Sequence, residues 1–446
     1  MSLKVLPLTS RRRSGNRHEH MSEQQQTKNE RLRAYGPMVA AALLVRLAVI
    51  PFLYREWLDP FLIEHWAFGR VARSLVTGHG FGNVFADTGP TAVLSPVYAY
   101  LLAGIFWMFG PHTRASVITA LAINSLFSAL TCIPVFLLAR RCFGHRVATW
   151  SGWLWAFSPY GIYYGADWAW STCLLTLLLC CLFLIALKLE NSGSLLHWTG
   201  FGLLTGVATL TEPVTLAVVP FLGAFTCYRR YRQRLTWLMP ATAASLAFLA
   251  VLSPWIIRNY ETFHQFIPVR SGLGLELYIG NNGYSARWVN SALHPNHSDA
   301  ELEEYEKSGE VVYMEHKRQQ AVDYIRAHPG WYVRMTLRRV LYIWTGYWSL
   351  DRAYLKDEPL DPPNILVATT FSVLALLGLR RVFQLDWAIG VRFAIVLGCF
   401  PLVYYLSHPE TYYFRPVDPL LAVLAAVAIA GRAKKPAALQ RLAHGG

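Results

Sequence analysis

Three carboxylates in this sequence stand where a carboxylate is costly. At helical spacing Glu64, Phe68, Val71, Ala72 and Leu75 share one face, so Glu64 interrupts an otherwise apolar stripe. Desolvation there raises the proton affinity of a carboxyl toward that of a useful general base. The structural alternative is an ion pair with Arg46, itself placed mid-span where a charge costs about 2.5–3.5 kcal/mol. Asp167 and Glu212 lie at the ends of apolar runs, just before Trp168 and Pro213. Each reads equally well as a helix cap or as a second acid. The cations that fall on the same side of the chain are Arg258, Arg270, Arg338, Arg339 and Arg415. A guanidinium fork matches two phosphate oxygens. Arg258 and Arg270 therefore read as ligand contacts, and Arg338-Arg339 as lipid-headgroup contacts. His79, in the turn Gly78-His79-Gly80-Phe81-Gly82, reads as a simple loop residue or as a ligand contact, and Asn281, in the turn Tyr278–Gly283, is a further binding candidate.

The elements that must hold these residues come next. Asp59 and Pro60 are a helix start and Gly78 a stop; Ser95-Pro96 and Gly110-Pro111 bound a second helix by the same chemistry. The chain is 54% hydrophobic and only 15% charged, with repeated apolar runs near 20 residues, which makes it an all-α polytopic membrane protein. Its net charge of +14 does not signal nucleic-acid binding, because the Lys and Arg cluster between apolar runs as topology signals do. The seven cysteines fall in or beside apolar runs and imply no disulfide framework. No Cys/His spacing suits a metal, and His294 and His297 read as solvated loop residues. No cofactor is indicated, although a divalent cation is compatible with the sequence.

Spans are expected at about 36–54, 115–139, 146–164, 168–188, 196–212, 213–228, 236–256, 364–380, 387–406 and 416–431. Segments 95–109 and 331–349 are ambiguous, and the positive-inside rule assigns both to the outer interface. The organisation is then a disordered cytoplasmic tail at 1–34, a membrane module at 35–256 with an outer loop at 55–114, an outer cap with an interfacial helix at 257–363, closing membrane helices at 364–432 and a tail at 433–446. No cleavable signal peptide is read, and Met21 is an alternative start. The two basic loops Arg140-Arg141 and Arg229–Arg234 face the cytoplasm, and Glu64, Asp167 and Glu212 converge on the outer side.

The order of motifs resembles the C-type glycosyltransferases that use polyprenyl-phosphate-linked sugars, in the glycosyltransferase family 39 branch of protein O-mannosyltransferases and lipid A aminoarabinose transferases. It covers roughly residues 36–430. Its residues are Glu64 with Ala72, the Gly78–Phe81 turn, Gly89-Pro90-Thr91-Ala92, Ser95-Pro96, Ala139–Gly144, Ser253-Pro254-Trp255 with Arg258-Asn259-Tyr260, and Tyr413 with Pro416 and Pro419. Family members show Asp-Glu where this chain has Glu64-His65, and an Arg-Tyr pair where it has Tyr412-Tyr413. The resemblance implies a C-type fold with about ten transmembrane helices and a multi-pass protein of the bacterial-type inner membrane. It implies an inverting hexosyl- or pentosyl-type transfer, from a polyprenyl-phosphate sugar to a protein, lipid or glycan on the outer face. Glu64 would be the base and Asp167, or alternatively Glu212, the second acid, with His79, Arg258, Arg270, Asn281, Tyr413 and Arg415 on the substrate. A lipid-linked-sugar flippase would instead place its ionisable groups mid-bilayer, and an inactive relative would keep lipid binding without transfer.

Overall fold

The computed structural model describes residues 34–53, 67–111, 113–167, 169–283, 291–349, 352–357, 361–410 and 412–430. Glu64, with the helix start expected at Asp59-Pro60, and both terminal tails lie outside the described residues.

The described chain is helical, with one isolated bridge between Gly82 and Pro90. Its first half runs α1 (Ala34–Leu53), α2 (Ala67–Val76), α3 (Pro96–Phe109), α4 (Arg114–Leu130), α5 (Cys132–Phe143), α6 (His145–Ala156), α7 (Pro159–Ala166), α8 (Thr172–Leu189) and α9 (Leu195–Thr211). A 3-10 turn at Pro213–Ala217 leads into α10 (Val219–Arg232) and the long α11 (Leu238–Phe263). The segment expected as the cap, 257–363, carries α12 (Leu273–Gly280), α13 (Asp299–Ser308), α14 (Glu310–Ala327), α15 (Pro329–Thr345) and α16 (Arg352–Asp357). The chain returns through α17 (Asp361–Leu385), α18 (Trp387–Cys399), α19 (Leu402–Leu406) and α20 (Asp418–Ile429).

Among the described residues, six helical stretches are long and apolar enough to cross a bilayer: Ala34–Leu53, Arg114–Phe143, Thr172–Leu189, Leu238–Phe263, Pro362–Leu385 and Trp387–Leu406. They coincide with six of the ten expected spans. The other four are shorter or interrupted. The 146–164 run breaks into α6 and α7, α9 has 17 residues, the 213–228 run opens in the 3-10 turn, and α20 has 12 residues. Helix α3 begins and ends as its punctuation predicts, with Pro96 in its first turn and Gly110 at φ +85°. Ser95 makes no side-chain cap, however, so proline's fixed φ carries the start. At 14 residues α3 is about 21 Å long, short of the ~30 Å hydrocarbon core. The expected face of α2 is the buried one: Phe68, Val71 and Ala72 are fully covered.

Arg46 shows how interrupted helices survive in an apolar interior. Pro159 has no N–H to offer the carbonyl of Trp155, which accepts from the Ser158 N–H at 3.1 Å instead, so the α6–α7 break interrupts the helical ladder and leaves its acceptors under-supplied. Arg46, fully buried on α1, donates to the carbonyls of Ala156 (2.8 Å), Trp155 (3.2 Å), Gly161 (3.0 Å) and Ala42 (2.9 Å), and to the hydroxyl of Ser128 (2.9 Å). Position 161 has to be glycine for this approach, since a Cβ there would sit 2.7 Å from Arg46 Nη2. A buried carbonyl stripped of its donor costs about 1–3 kcal/mol. Replacing Arg46 by Met should therefore lower the detergent melting temperature by roughly 5–10 °C, with Arg46→Lys recovering only part of the loss. A Met variant melting with the wild type would refute this role.

Candidate functional site

Two apolar clusters pack against each other. One is built on Leu175, Val214, Phe393 and the apolar face of α20; the other on Phe68, Val71, Tyr98, Leu275, Tyr313 and Met314. At their seam lies a cavity of about 770 Å³. Leu175, Val214, Leu216, Ala217 and Val403 form one wall, Phe85, Val93, Leu273 and Ile279 another, and Ala67 at the start of α2 also lines it. A mostly apolar chamber with few convergent polar groups is the usual form of a ligand site.

The polar centre is Arg270. Its Nη1 is 3.1 Å from Glu212 Oε2, its Nη2 is 3.6 Å from Glu276 Oε1, and its Nε donates to the carbonyl of Val93 at 2.7 Å. Glu212 also accepts from the Ser171 hydroxyl at 2.6 Å. Glu276 lies 3.3 Å from His408 Nε2 and accepts from the Tyr413 hydroxyl at 3.4 Å. The Tyr413 ring stacks on Tyr404 and meets Tyr412 edge-on, with centroids 4.9 and 4.7 Å apart. At the cap end stand Phe85, His294, Asn296 and His297. Burial pushes His294 down to about 4, so its imidazole is neutral at pH 7. Its reading as a solvated loop residue is therefore corrected: it is packed edge-on against Phe85 in the cavity wall.

What fixes the loop beside Arg270 is Glu310, the first residue of α14. Its carboxylate accepts from Thr91 Oγ1 (2.6 Å), the Ala92 N–H (2.8 Å), Ser271 Oγ (2.6 Å) and Tyr305 Oη (2.9 Å). The loop at 91–92, the Arg270–Ser271 segment and the end of α13 are thus tied to one buried acid at a helix N-terminus, where negative charge is favoured.

Of the residues singled out from sequence, Arg270, Tyr413 and Glu212 come together on the cavity. The others are elsewhere. Arg258 donates to the carbonyls of Thr91 and Phe81, both at 2.7 Å, and packs against Trp255; its fork holds the loop rather than facing the chamber. Asn281 is fully buried, donating to the carbonyls of Leu277 and Leu406 and accepting from Arg339. Arg339, read as a lipid-headgroup contact, instead turns inward onto the carbonyls of Gly280, Tyr405 and Leu406. Arg415 pairs with Asp418 at 3.3 Å, lies over the Tyr160 ring and lines a separate narrow crevice. Asp167 is buried beside Tyr163, off the cavity wall, and burial raises its pKa. His79 is exposed in its turn, paired with Thr77 at 2.9 Å. Glu64, outside the described residues, precedes the cavity-lining Ala67 by three positions in the chain.

Glu276 and His408 escaped the sequence reading. Glu276 is the lone carboxylate in the apolar run Leu273–Gly280, the same kind of interruption that singled out Glu64. His408 gives no such sign; its partner is 132 positions away.

Residues 92–257 match the family described as Dolichyl-phosphate-mannose-protein mannosyltransferase. No curated protein matches the chain in sequence. In fold it is similar to the apo oligosaccharyltransferase of Archaeoglobus fulgidus, with a TM-score of 0.52 at 12% identity over 89% of this chain and 50% of that one. The chain thus spans about half the length of that oligosaccharyltransferase. A second structure of that archaeal enzyme, AglB with an inhibitory peptide and a dolichol-phosphate, gives a TM-score of 0.49 at 12% identity, over 91% and 50% of the two chains. ArnT from Cupriavidus metallidurans bound to undecaprenyl phosphate gives 0.39 at 14% identity, over 88% and 77%.

Glu310 supplies the test of this architecture. Glu310→Gln keeps the shape but puts an amide N–H₂ among four donors, so the loop at 91–93 should loosen. Proteolysis within residues 78–93 should accelerate by about tenfold or more, a local opening less costly by about 1.4 kcal/mol. Unchanged cleavage would mean that Glu310 does not fasten the loop.

Proposed function

We propose that this chain, which has the C-type glycosyltransferase fold and matches the protein-mannosyltransferase-like branch over residues 92–257, moves a hexose- or pentose-type sugar from a polyprenyl phosphate to an acceptor. The single observation that carries this reading is the cavity itself: a mostly apolar chamber whose wall carries one guanidinium, Arg270, among the carboxylates of Glu212, Glu276 and Glu410. A polyprenyl phosphate is a greasy chain ending in an anion. Leu216, Ala217, Leu273 and Val403 suit the chain, and Arg270 suits the phosphate, exchanging part of its hold on Glu212 and Glu276 for phosphate oxygens. The donor already carries an activated sugar, so no nucleotide-binding domain is needed.

In the proposed reaction the acceptor hydroxyl or amine attacks the anomeric carbon, its proton passing to a carboxylate base. The C–O bond to phosphate breaks with inversion, and Arg270 meets the charge growing on the leaving phosphate. Glu64 is our candidate base. Asp167 is buried off the cavity, and His79, Arg258, Asn281 and Arg415 bind the protein's own groups.

The outer-face orientation has support from helix polarity. Helix α8 starts on the cavity at Thr172 and ends beside Lys188, and α10 ends at Arg229–Arg232. At that far end Glu190 binds Arg229 and Arg392, and Arg141 donates to Leu187. The cavity therefore sits at the helix ends opposite the basic cluster. With the basic end cytoplasmic, the chamber opens outward, as a bacterial-type inner-membrane enzyme working on protein, lipid or glycan in the periplasm requires. The flippase alternative loses its main motive, since the mid-span charge of Arg46 is spent on the carbonyls of broken helices.

Purified protein given polyprenyl-phosphate sugars should transfer the sugar. Glu64→Gln should lower kcat by about 10²–10⁴-fold, and Arg270→Gln should weaken polyprenyl-phosphate binding by about tenfold or more. Near wild-type transfer by Glu64→Gln, or unaltered lipid binding by Arg270→Gln, would sink the respective assignment. Cysteine labelling at position 79 from outside intact cells tests the orientation; access from the cytosol alone would reverse it.

A further inference from the structure

His408 is held by one residue at both ring nitrogens. Its Nδ1 is 3.0 Å from the main-chain oxygen of Glu276, and its Nε2 is 3.3 Å from Oε2 of the same residue. A carbonyl oxygen only accepts, so Nδ1 carries a hydrogen. Nε2 then either carries one as well, making an imidazolium against a carboxylate, or faces a protonated carboxyl. A lone pair set against a bare carboxylate is the one arrangement this geometry disfavours. In either favoured form the pair holds one proton between Nε2 and Oε2, on the wall of the cavity and beside Arg270.

We propose that this shared proton is delivered to the departing lipid phosphate, which makes Glu276–His408 the acid that completes the transfer. The step rests on the proposed sugar transfer from a polyprenyl phosphate. The donor is a phosphodiester with one negative charge. When the C–O bond to the sugar breaks, its electron pair stays on the phosphate oxygen, and the product would leave as a dianion. The acceptor's proton goes to the base. The proton of the His408–Glu276 pair goes to a phosphate oxygen, leaving a monoanion. A phosphate monoester takes up its second proton near pH 6, so a histidine held below its ordinary range can pass its proton to the phosphate. The pair then recovers its proton from water after the product departs.

The surroundings are arranged for such a group. Carboxylates at Glu276 and Glu410 favour the proton, and the guanidiniums of Arg270 and Arg339 oppose it. His294 is neutral, and the Tyr413 hydroxyl donates to Glu276 Oε2 and so favours the ionised carboxylate. Burial pushes His408 below the ordinary histidine range, with Glu276 acting against it, so it gives up its proton readily and holds it in a share of molecules that grows as pH falls. Without the pair, expelling a second negative charge into a chamber already holding Glu212, Glu276 and Glu410 would be the costly part of the reaction.

The test is the pH dependence of kcat with a polyprenyl-phosphate sugar. In the wild type kcat should fall as pH rises through the titration of the pair. His408→Gln should lower kcat by about 10²-fold, erase that alkaline limb and leave the Kd for polyprenyl phosphate within about threefold. Tyr413→Phe provides a milder second variant: removing its hydrogen bond raises the proton affinity of the pair, so the limb should move to higher pH. A His408→Gln enzyme that keeps its kcat and its limb overturns the proposal. Should that variant fail to fold, an unmoved limb in Tyr413→Phe does so instead. A wild-type protein that binds no polyprenyl phosphate and transfers no sugar would sink the underlying reading, which is a different result from losing the limb alone.

Discussion

A carbonyl without a donor is intolerable in hydrocarbon, and much of this fold follows from that constraint. Three buried arginines address it where helices end or break, and the half-buried Arg258 does so for a loop. Arg46 serves the α6–α7 interruption, Arg339 the adjoining ends of α12 and α19, Arg230 the carbonyls of Leu189, Glu190 and Thr236, and Arg258 those of Phe81 and Thr91. A guanidinium offers five N–H groups in a plane and stays charged, so it can satisfy several acceptors from different helices at once. A charge in this interior is tolerable because it meets the negative ends of helix dipoles. Short and broken helices around the chamber, which supply its irregular polar wall, can exist because these arginines complete them.

Arg270 differs from those four in what it binds. Two carboxylates and one carbonyl hold it, so its charge is balanced by groups that can be traded for another anion without stranding a buried main chain. The contrast with Arg258 is informative. Both are cations close to the cavity, and both contact the loop at 91–93, yet Arg258 is committed to two carbonyls whose loss would unfasten the loop. Glu310 closes the same loop from the other side, so the surface around Arg270 is rigid while Arg270 itself has alternatives.

This difference explains which parts of the architecture were legible in the sequence. Helix limits set by local chemistry were readable: Pro96 and Gly110 for α3, the Phe68–Val71–Ala72 face for α2, and the six longest apolar stretches. Arg270 was found because an arginine on the outer side calls for an anion, and Tyr413 through the motif with Pro416 and Pro419 that carries the family resemblance. The roles of Arg258, Asn281, Arg339 and Arg415 were not readable, because a guanidinium or amide looks the same in sequence whether it faces a ligand or a carbonyl. Partners far apart in the chain hid Glu310 and His408 as well. The 146–164 run shows a further limit, since uniform hydropathy concealed a break that Ser158-Pro159 spelled out.

The bonds from Glu310 to Thr91 and Ala92 join positions 219 and 218 residues apart. During synthesis the ribosome finishes the early helices long before it reaches codon 310. The Thr91–Val93 path can be locked only after α11 has been threaded and the cap delivered to the same compartment. Biogenesis is thereby ordered: a nascent protein stalled before that codon would have its early membrane helices but a chamber wall not yet fastened.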